Sequence, residues 1–447
     1  MKRLVVCASL ACLSALAPGA QGADLMQIYR SAQAADAQYG AARASWSAGQ
    51  EKLPQGLSGL LPQATLSGST QHNDRDLRPR GTTGTGVVGG TTQFNSNTLT
   101  LSVTQPLYRA QNLATYEQAR HQVAQSDALF AQAAQDLIVR VAQAYFDVLL
   151  AQDTLAFAQA QLAAIGQQLE QAKRNFEVGV ATITDTHEAQ ARYDITVASE
   201  IAARNELEVR RRALTVLTGQ PAPGLAPLGG RFRPQMPDPP GMERWVQQAL
   251  ASNTQVKAAE AARAVAAREV ERNRGAHRPT LDAFASYTEA GSGSGTQGGV
   301  GTDTTSKVIG LQLAVPLYQG GLVSSRVREA LANEDKARQE LESARRAAEL
   351  AVRQGYLGVT SGLAQVKALE AALVSSQSSL DSTRLGQQVG VRTQVDVLNA
   401  QQQLSQTRRD LAQARYAYIL SLLRLKAAAG SLTETDLAQV NAWLDKQ

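Results

Sequence analysis

The chain has 447 residues, 44 Lys and Arg against 39 Asp and Glu for a net charge of +5, and only 5% aromatic side chains beside abundant Ala and Gln. So small a positive excess, with clusters such as Arg210-Arg211-Arg212 lying in heptad-like sequence where charge coats a solvated face, excludes nucleic acid as a partner. Scarce aromatics argue against a compact globular core and favour long, thin helical packing.

The chain opens Met1-Lys2-Arg3, stays apolar from Leu4 to Leu16, and reaches Pro18-Gly19 followed by Ala20-Gln21-Gly22. A secretory signal peptide over residues 1–22, cut before Ala23, is expected. Ala11-Cys12 offers a lipidation site, but a signal of eleven residues would cut the apolar stretch short. Cys7 and Cys12 are the only cysteines and both lie in the signal, which removes disulfide and thiol chemistry. Beyond the signal no run of 18 or more apolar residues occurs, so no transmembrane helix is expected, and an exported chain is then periplasmic, secreted or a β-barrel.

A first helix is expected from about Leu25 to Lys52, followed by two strand-like segments of about ten residues around a Gly, Ser and Thr-rich loop. In the second, Leu99, Leu101 and Val103 alternate with Thr98, Thr100, Ser102 and Thr104. One apolar and one polar face over about ten residues fits a barrel strand with lipid outside and water inside; a half-exposed strand of a soluble sheet gives the same pattern. From Leu107 to about Glu177 the chain holds no proline, and roughly 70 residues make a helical rod of about 105 Å. Val141, Val148, Leu155, Leu162, Leu169 and Phe176 recur every seven residues along it, with Ala144, Ala151, Ala158, Ile165 and Ala172 three further on. That seam calls for left-handed packing against partner helices. A returning helix runs from Asp185 to about Thr218, and the linker 219–241 holds seven of the fourteen prolines, which no regular element tolerates.

The chain then repeats itself. Val103-Thr104-Gln105-Pro106-Leu107-Tyr108 returns as Leu313-Ala314-Val315-Pro316-Leu317-Tyr318, and Val178-Gly179-Val180-Ala181-Thr182 returns as Val389-Gly390-Val391-Arg392-Thr393. Ala35-Asp36-Ala37-Gln38 likewise matches Ser252-Asn253-Thr254-Gln255. The second half supplies a helix from Glu243 to Arg274, a strand in which Ile309, Leu311, Leu313 and Val315 alternate with small or polar residues, a rod with Val352, Val359, Val366, Leu373 and Leu380 along its seam, and a return from Asp396 to Ala429. The division is therefore signal 1–22, first repeat 23–218, linker 219–241, second repeat 242–430 and a tail over 431–447. The fold class is mainly α with a small β part, a duplicated unit of strand pair plus long helical hairpin. Four strands per chain cannot leave open edges in hydrocarbon, so subunits must pool them. Two chains would give eight strands and three would give twelve, and only the larger barrel leaves a wide lumen.

The junctions ending Pro106-Leu107-Tyr108 and Pro316-Leu317-Tyr318-Gln319-Gly320-Gly321, with the turns Asn175 to Asp185 and Val389 to Leu398, resemble the TolC family of outer-membrane efflux and secretion ducts over essentially the whole mature chain. The resemblance implies a homotrimer with a 12-strand transmembrane barrel in outer-membrane lipid and a long periplasmic α-helical tunnel, with the linker in its equatorial region. It implies partners too: a periplasmic adaptor (membrane fusion) protein and an inner-membrane transporter, whose docking opens a closed periplasmic end. Carried over by motif, Thr184 and Asp185 lie on one side of the gate contact, Arg392 on the other, and Asp396 in the constriction. Gln387 stands where a gate tyrosine is common and Asn399 where a second aspartate is common, leaving one carboxylate ring in place of two. Thr182-x-x-Asp185 and Thr393-x-x-Asp396 also have capping-box spacing after a glycine, which by itself marks a helix restart.

No catalytic residue, cofactor or metal site is expected. His72, His121, His187 and His277 are too scattered for metal ligation. Gly84-x-Gly86-x-x-Gly89 has dinucleotide-fingerprint letters but lies in a loop leading to a strand, where the fingerprint must open a helix. The rival reading is a periplasmic adaptor or coiled-coil scaffold, which usually carries one hairpin within β-rich domains where this chain has two hairpins, each preceded by a strand pair.

Overall fold

The computed structural model describes residues 22–78, 90–221, 224–297 and 300–445. All of the expected signal but Gly22, and the Gly84 to Gly89 motif, lie outside the described residues. In chain order the elements are α1 (Leu25–Ala35), α2 (Ala37–Gln50), α3 (Lys52–Ser58), β1 (Gln63–Leu77), β2 (Gly90–Tyr108), α4 (Ala110–Glu177) and α5 (Ile183–Thr218). They continue with α6 (Met242–Ser252), α7 (Thr254–Gly275), β3 (Thr280–Gln297), β4 (Val300–Ala314), α8 (Leu322–Gln388), α9 (Gln394–Ala428) and α10 (Glu434–Asn441). Three helices, two strands and a hairpin are thus answered by two helices, two strands and a hairpin, which is the duplicated plan the repeats imply.

Each half departs from the expected plan at the same place. The helix expected from Leu25 breaks at Asp36, and the one expected from Glu243 breaks at Asn253, where both residues turn extended with ψ of 117° and 131°. Asp36 stops α1 and accepts from the Tyr39 N–H at 2.6 Å to start α2, while its two carboxylate oxygens take a fork from Arg140 at 2.9 and 3.0 Å. Asn253 donates its amide to the Ala428 carbonyl at 2.8 Å. Beside each break lies a glycine that ends a returning helix in left-handed backbone, Gly219 at φ 69° and Gly430 at φ 71°. A Cβ at Gly219 would stand 3.0 Å from Ala35, and one at Gly430 would run into the Ser252 carbonyl, so both positions need glycine for the close approach as well as for φ.

The described residues divide into two compact units. The first takes those within Met1–Ala41, Ala133–Asn253 and Glu349–Gln447. Its core follows the heptad seams: Val141, Val148, Leu169, Val352, Val359, Val366 and Leu380 are all buried. Leu169 and Ala172 pack with Ala189 of α5, and Leu380 packs with Val397 and Leu404 of α9, so each long helix meets its own return. Gly355 and Gly362 let α9 approach α8, with Leu425 and Tyr418 lying over them. Aromatic hydroxyls pin the irregular linker: Tyr145 donates to the Ala226 carbonyl at 2.8 Å, and Tyr418 both accepts from the Gln235 N–H at 2.9 Å and donates to its carbonyl at 2.6 Å.

The second unit takes residues within Ala42–Gln132 and Thr254–Ala348. It holds one antiparallel sheet in the order β1-β2-β3-β4, leaving β1 and β4 as edges. The strands run 15, 19, 18 and 15 residues, longer than the ten expected, because ladder pairing continues past the apolar stretch into Thr, Asn, Ser and Gly. Pro106 lies inside β2, which its missing N–H permits since pairing with β1 stops at Thr104 and the β3 register shifts beyond Pro106. α4 accordingly begins at Ala110 and not at Leu107. The helices of this unit pack on one another through Trp46 stacked on Phe130 at 5.2 Å and through the cluster Val256, Leu341 and Ala348.

One expectation needs correction. Both α4 and α8 include 18-residue windows, of mean hydropathy 1.3 and 1.2, that are apolar enough on composition alone to cross a membrane. An uninterrupted apolar run is a stricter condition than a window average, which alanine raises while a few polar residues remain. At 68 and 67 residues these helices are about three times the length a hydrocarbon core requires.

Candidate gate and membrane face

The sheet sorts its side chains by residue parity. On one face Leu66, Leu101, Tyr287 and Lys307 are cross-strand neighbours, as are Ala64, Val103, Ala285 and Ile309, then Ala283 with Leu311 and Leu281 with Leu313. On the other face stand Ser67, Thr100, Thr288 and Ser306, with the Thr100 and Thr288 hydroxyls 3.2 Å apart. On β2 the two faces differ in exposure, with Leu99, Leu101 and Val103 at 47%, 45% and 37% against half-covered Thr98, Thr100 and Ser102, while β4 is exposed on both faces, Ile309 at 89%. Leu311 and Leu313 are likewise bare. Lys307 lies over the Tyr287 ring at 5.7 Å, an aromatic and a cation at one border of the apolar rows; exposed Leu317 and Tyr318 follow the other border. Val315 is exposed but stands one residue beyond β4, whose partner β3 begins at Thr280 opposite Ala314, so no ladder continues to it.

The two hairpin turns are copies of one another. In the first, Val180 N–H reaches back to the Asn175 carbonyl at 2.9 Å around Gly179 at φ 79°; in the second, Val391 N–H reaches the Gly386 carbonyl at 2.9 Å around Gly390 at φ 80°. Each return then opens on a full capping box. Thr182 accepts from the Asp185 N–H at 3.3 Å and its own N–H donates to Asp185 Oδ2 at 2.9 Å; Thr393 and Asp396 repeat this at 3.2 and 2.9 Å. The Thr182 backbone and hydroxyl hold the Asp185 carboxyl below its ordinary 3.8. Thr393 does the same for Asp396, with Arg392 adding to the effect. Both carboxylates are therefore ionised at neutral pH and sit at helix N-termini, where negative charge is favoured.

Of the other residues read from the sequence, Thr184 is exposed in the first turn of α5 and Gln387, near the end of α8, donates to Gln394. Arg392 lies across Gly386, whose added Cβ would be 2.8 Å from the Arg392 Cγ. Arg392 and Asp185 form no salt bridge within the chain among the described residues; Asp185 is engaged by Thr182 and Arg392 lies nearer Asp396. Asn399 accepts from Arg192 Nη2 at 3.0 Å, and Gln402 accepts from Arg192 Nη1 at 3.0 Å. Sequence reading missed Arg192 and Gln402, because a contact spanning more than 200 positions leaves no local pattern.

A sheet apolar on its outer face, joined to paired long helical hairpins, defines the subunit of an outer-membrane channel. The chain matches the outer membrane efflux protein family over residues 23–220 and 245–431. It is 34% identical to the outer membrane protein TolC of Vibrio cholerae over 99% of both chains. It is also 34% identical to the alkaline protease secretion protein AprF of Pseudomonas aeruginosa, over 99% of this chain and 92% of that one. Its fold is that of the Campylobacter jejuni CmeC outer membrane channel, with TM-score 0.79 at 16% identity over 94% of this chain and 90% of that one. The Neisseria gonorrhoeae MtrE outer membrane channel, in its open state, gives 0.74 at 19% over 93% and 91%. The protein belongs to the outer membrane efflux protein family, as the TolC proteins do, resides in the outer membrane and is an exit duct there.

Proposed function

We propose that three copies of the chain close their sheets into one twelve-strand barrel, and that the paired hairpin turns form a gate at the periplasmic end of the duct. The observation that carries this reading is the sheet with two bare edges, β1 and β4, beneath an exposed apolar face. A face of leucine, isoleucine and valine belongs in hydrocarbon, where every edge N–H and C=O must find a partner, and a further copy of the same sheet supplies one. Leu99, Leu101, Val103, Ile309, Leu311 and Leu313 then face lipid, with Val315 at the border.

At the gate, Thr184, Asp185, Gln387, Arg392, Asp396 and Asn399 act together, and one Asp396 per subunit forms the carboxylate ring. The Arg392 to Asp185 attraction is weak at so open a site, about 0–1 kcal/mol, but threefold repetition gives a latch that holds and still releases. A periplasmic adaptor releases it, an inner-membrane transporter supplies the energy, and the chain itself performs no chemistry. Residues 1–22 direct export. Imaging of detergent-solubilised protein from outer membranes is expected to give hollow threefold particles; compact monomers or solid rods refute the barrel. Conductance of Asp396→Asn in planar bilayers tests the ring, and cation block identical to that of the parent refutes it.

A further inference from the structure

We infer that Arg192 is a positioning residue that clasps the two hairpins of one chain together beside the gate and sets how readily the gate opens. The inference rests on the gate reading above. Arg192 is on α5, the return of the first hairpin; Asn399 and Gln402 are on α9, the return of the second. The guanidinium spans both, Nη2 on Asn399 Oδ1 and Nη1 on Gln402 Oε1, each at 3.0 Å. Two acceptors one turn apart on the same helix face are what a planar fork can take at once and an ammonium cannot.

Position gives the contact its consequence. Asn399 follows Asp396 by three residues on α9, and Arg192 follows Asp185 by seven on α5, so the clasp sits one to two turns above both capped aspartates on the faces they occupy. Hairpins that separate must break it. Its acceptors are neutral amides in an exposed setting, which makes each contact weak and reversible; a carboxylate at 399 would turn it into a charge-assisted pair and hold the hairpins shut. The guanidinium also brings a positive charge beside the Asp396 ring and lowers the net negative field there. A plain solvated arginine would have none of these effects.

The experiment records single-channel currents in KCl across planar bilayers holding the full-length protein and its Arg192→Ala, Arg192→Lys, Asn399→Asp and Asp396→Asn variants. The open fraction rises by roughly 2- to 10-fold in Arg192→Ala as the clasp is lost from each subunit. Arg192→Lys recovers less than half of that change, and Asn399→Asp moves the open fraction down. The opposite signs separate a clasp from a general loosening of the assembly, so a shift of the same sign in Arg192→Ala and Asn399→Asp overturns the proposal. Full recovery by lysine overturns the fork. Parental gating in Arg192→Ala while Asp396→Asn alters the current overturns the clasp and leaves the gate standing; parental behaviour in all four overturns both.

Discussion

Arg109 donates from Nε and Nη2 to the two carboxylate oxygens of Asp282, at 2.8 and 2.7 Å, and so ties the corner where β2 becomes α4 to the first residues of β3. Asp282 is only 8% exposed, and Arg109 engages both of its carboxylate oxygens. Asp282→Ala strips the guanidinium of both acceptors. A loss of about 1–3 kcal/mol is expected, at the lower end of buried-pair values because Arg109 keeps contact with water. Thermal unfolding of the detergent-solubilised protein checks this, with Arg109→Ala expected to match it and the double variant to add little.

The Asp36 carboxylate gives a pH signature. Its pKa is lowered from 3.8, first by the Arg140 side-chain hydrogen bonds. A depressed carboxylate contributes stability that is fully present above the unfolded value and disappears as pH falls through the folded one. The melting temperature is therefore expected to hold from pH 8 down to about pH 5 and to drop below about pH 4. Asp36→Asn should melt lower than the parent near neutral pH and show a shallower acid limb. An acid limb of unchanged depth would show that other carboxylates control it.

Two glycines with nearly the same φ should respond differently to alanine. Gly430 has no room for a Cβ against Ser252, whereas Gly179 opens to empty space. Gly430→Ala is expected to cost about 2–4 kcal/mol, combining strain with collision, and Gly179→Ala about 1 kcal/mol from strain alone. Chemical denaturation of both variants tests the ranking; equal losses would mean that the contact at the second helix break is soft.

The two faces of β2 should tolerate charge unequally. Leu101→Arg puts a guanidinium on the proposed lipid face, at about 2–4 kcal/mol if near the bilayer centre, and should deplete the protein from outer-membrane fractions. Ser102→Arg, one residue on, points to the polar face and should still insert while altering conductance. Equal insertion of the two variants would place β2 outside the membrane.

What could be read from the sequence was whatever repeats locally. Leu99, Leu101 and Val103 announce a two-faced strand through their spacing, Val352 to Leu380 announce a seam by sevens, and Thr182-x-x-Asp185 with its copy at Thr393 announces a capped restart, which the hydrogen bonds bear out. The breaks at Asp36 and Asn253 escaped, since one polar residue in an alanine-rich helix period carries no stop signal; only Arg140 and the Ala428 carbonyl, far along the chain, make extended backbone favourable there. The proline-rich linker read as irregular, but the hydroxyls of Tyr145 and Tyr418 that fix its path lie far from it in sequence, on α4 and α9, where no local pattern marks them. Arg192 had no sequence mark at all.

The bare edges of β1 and β4 bear on inheritance as much as on architecture. If the proposed three-copy ring closes only when every seam between copies forms, one subunit with a spoiled edge ruins the two sound ones that share its ring. A cell making equal amounts of sound and edge-defective chain would keep only about one ring in eight free of defect under random mixing into threes. Lesions in those two strands should therefore behave as dominant, while lesions in the loop tips stay recessive.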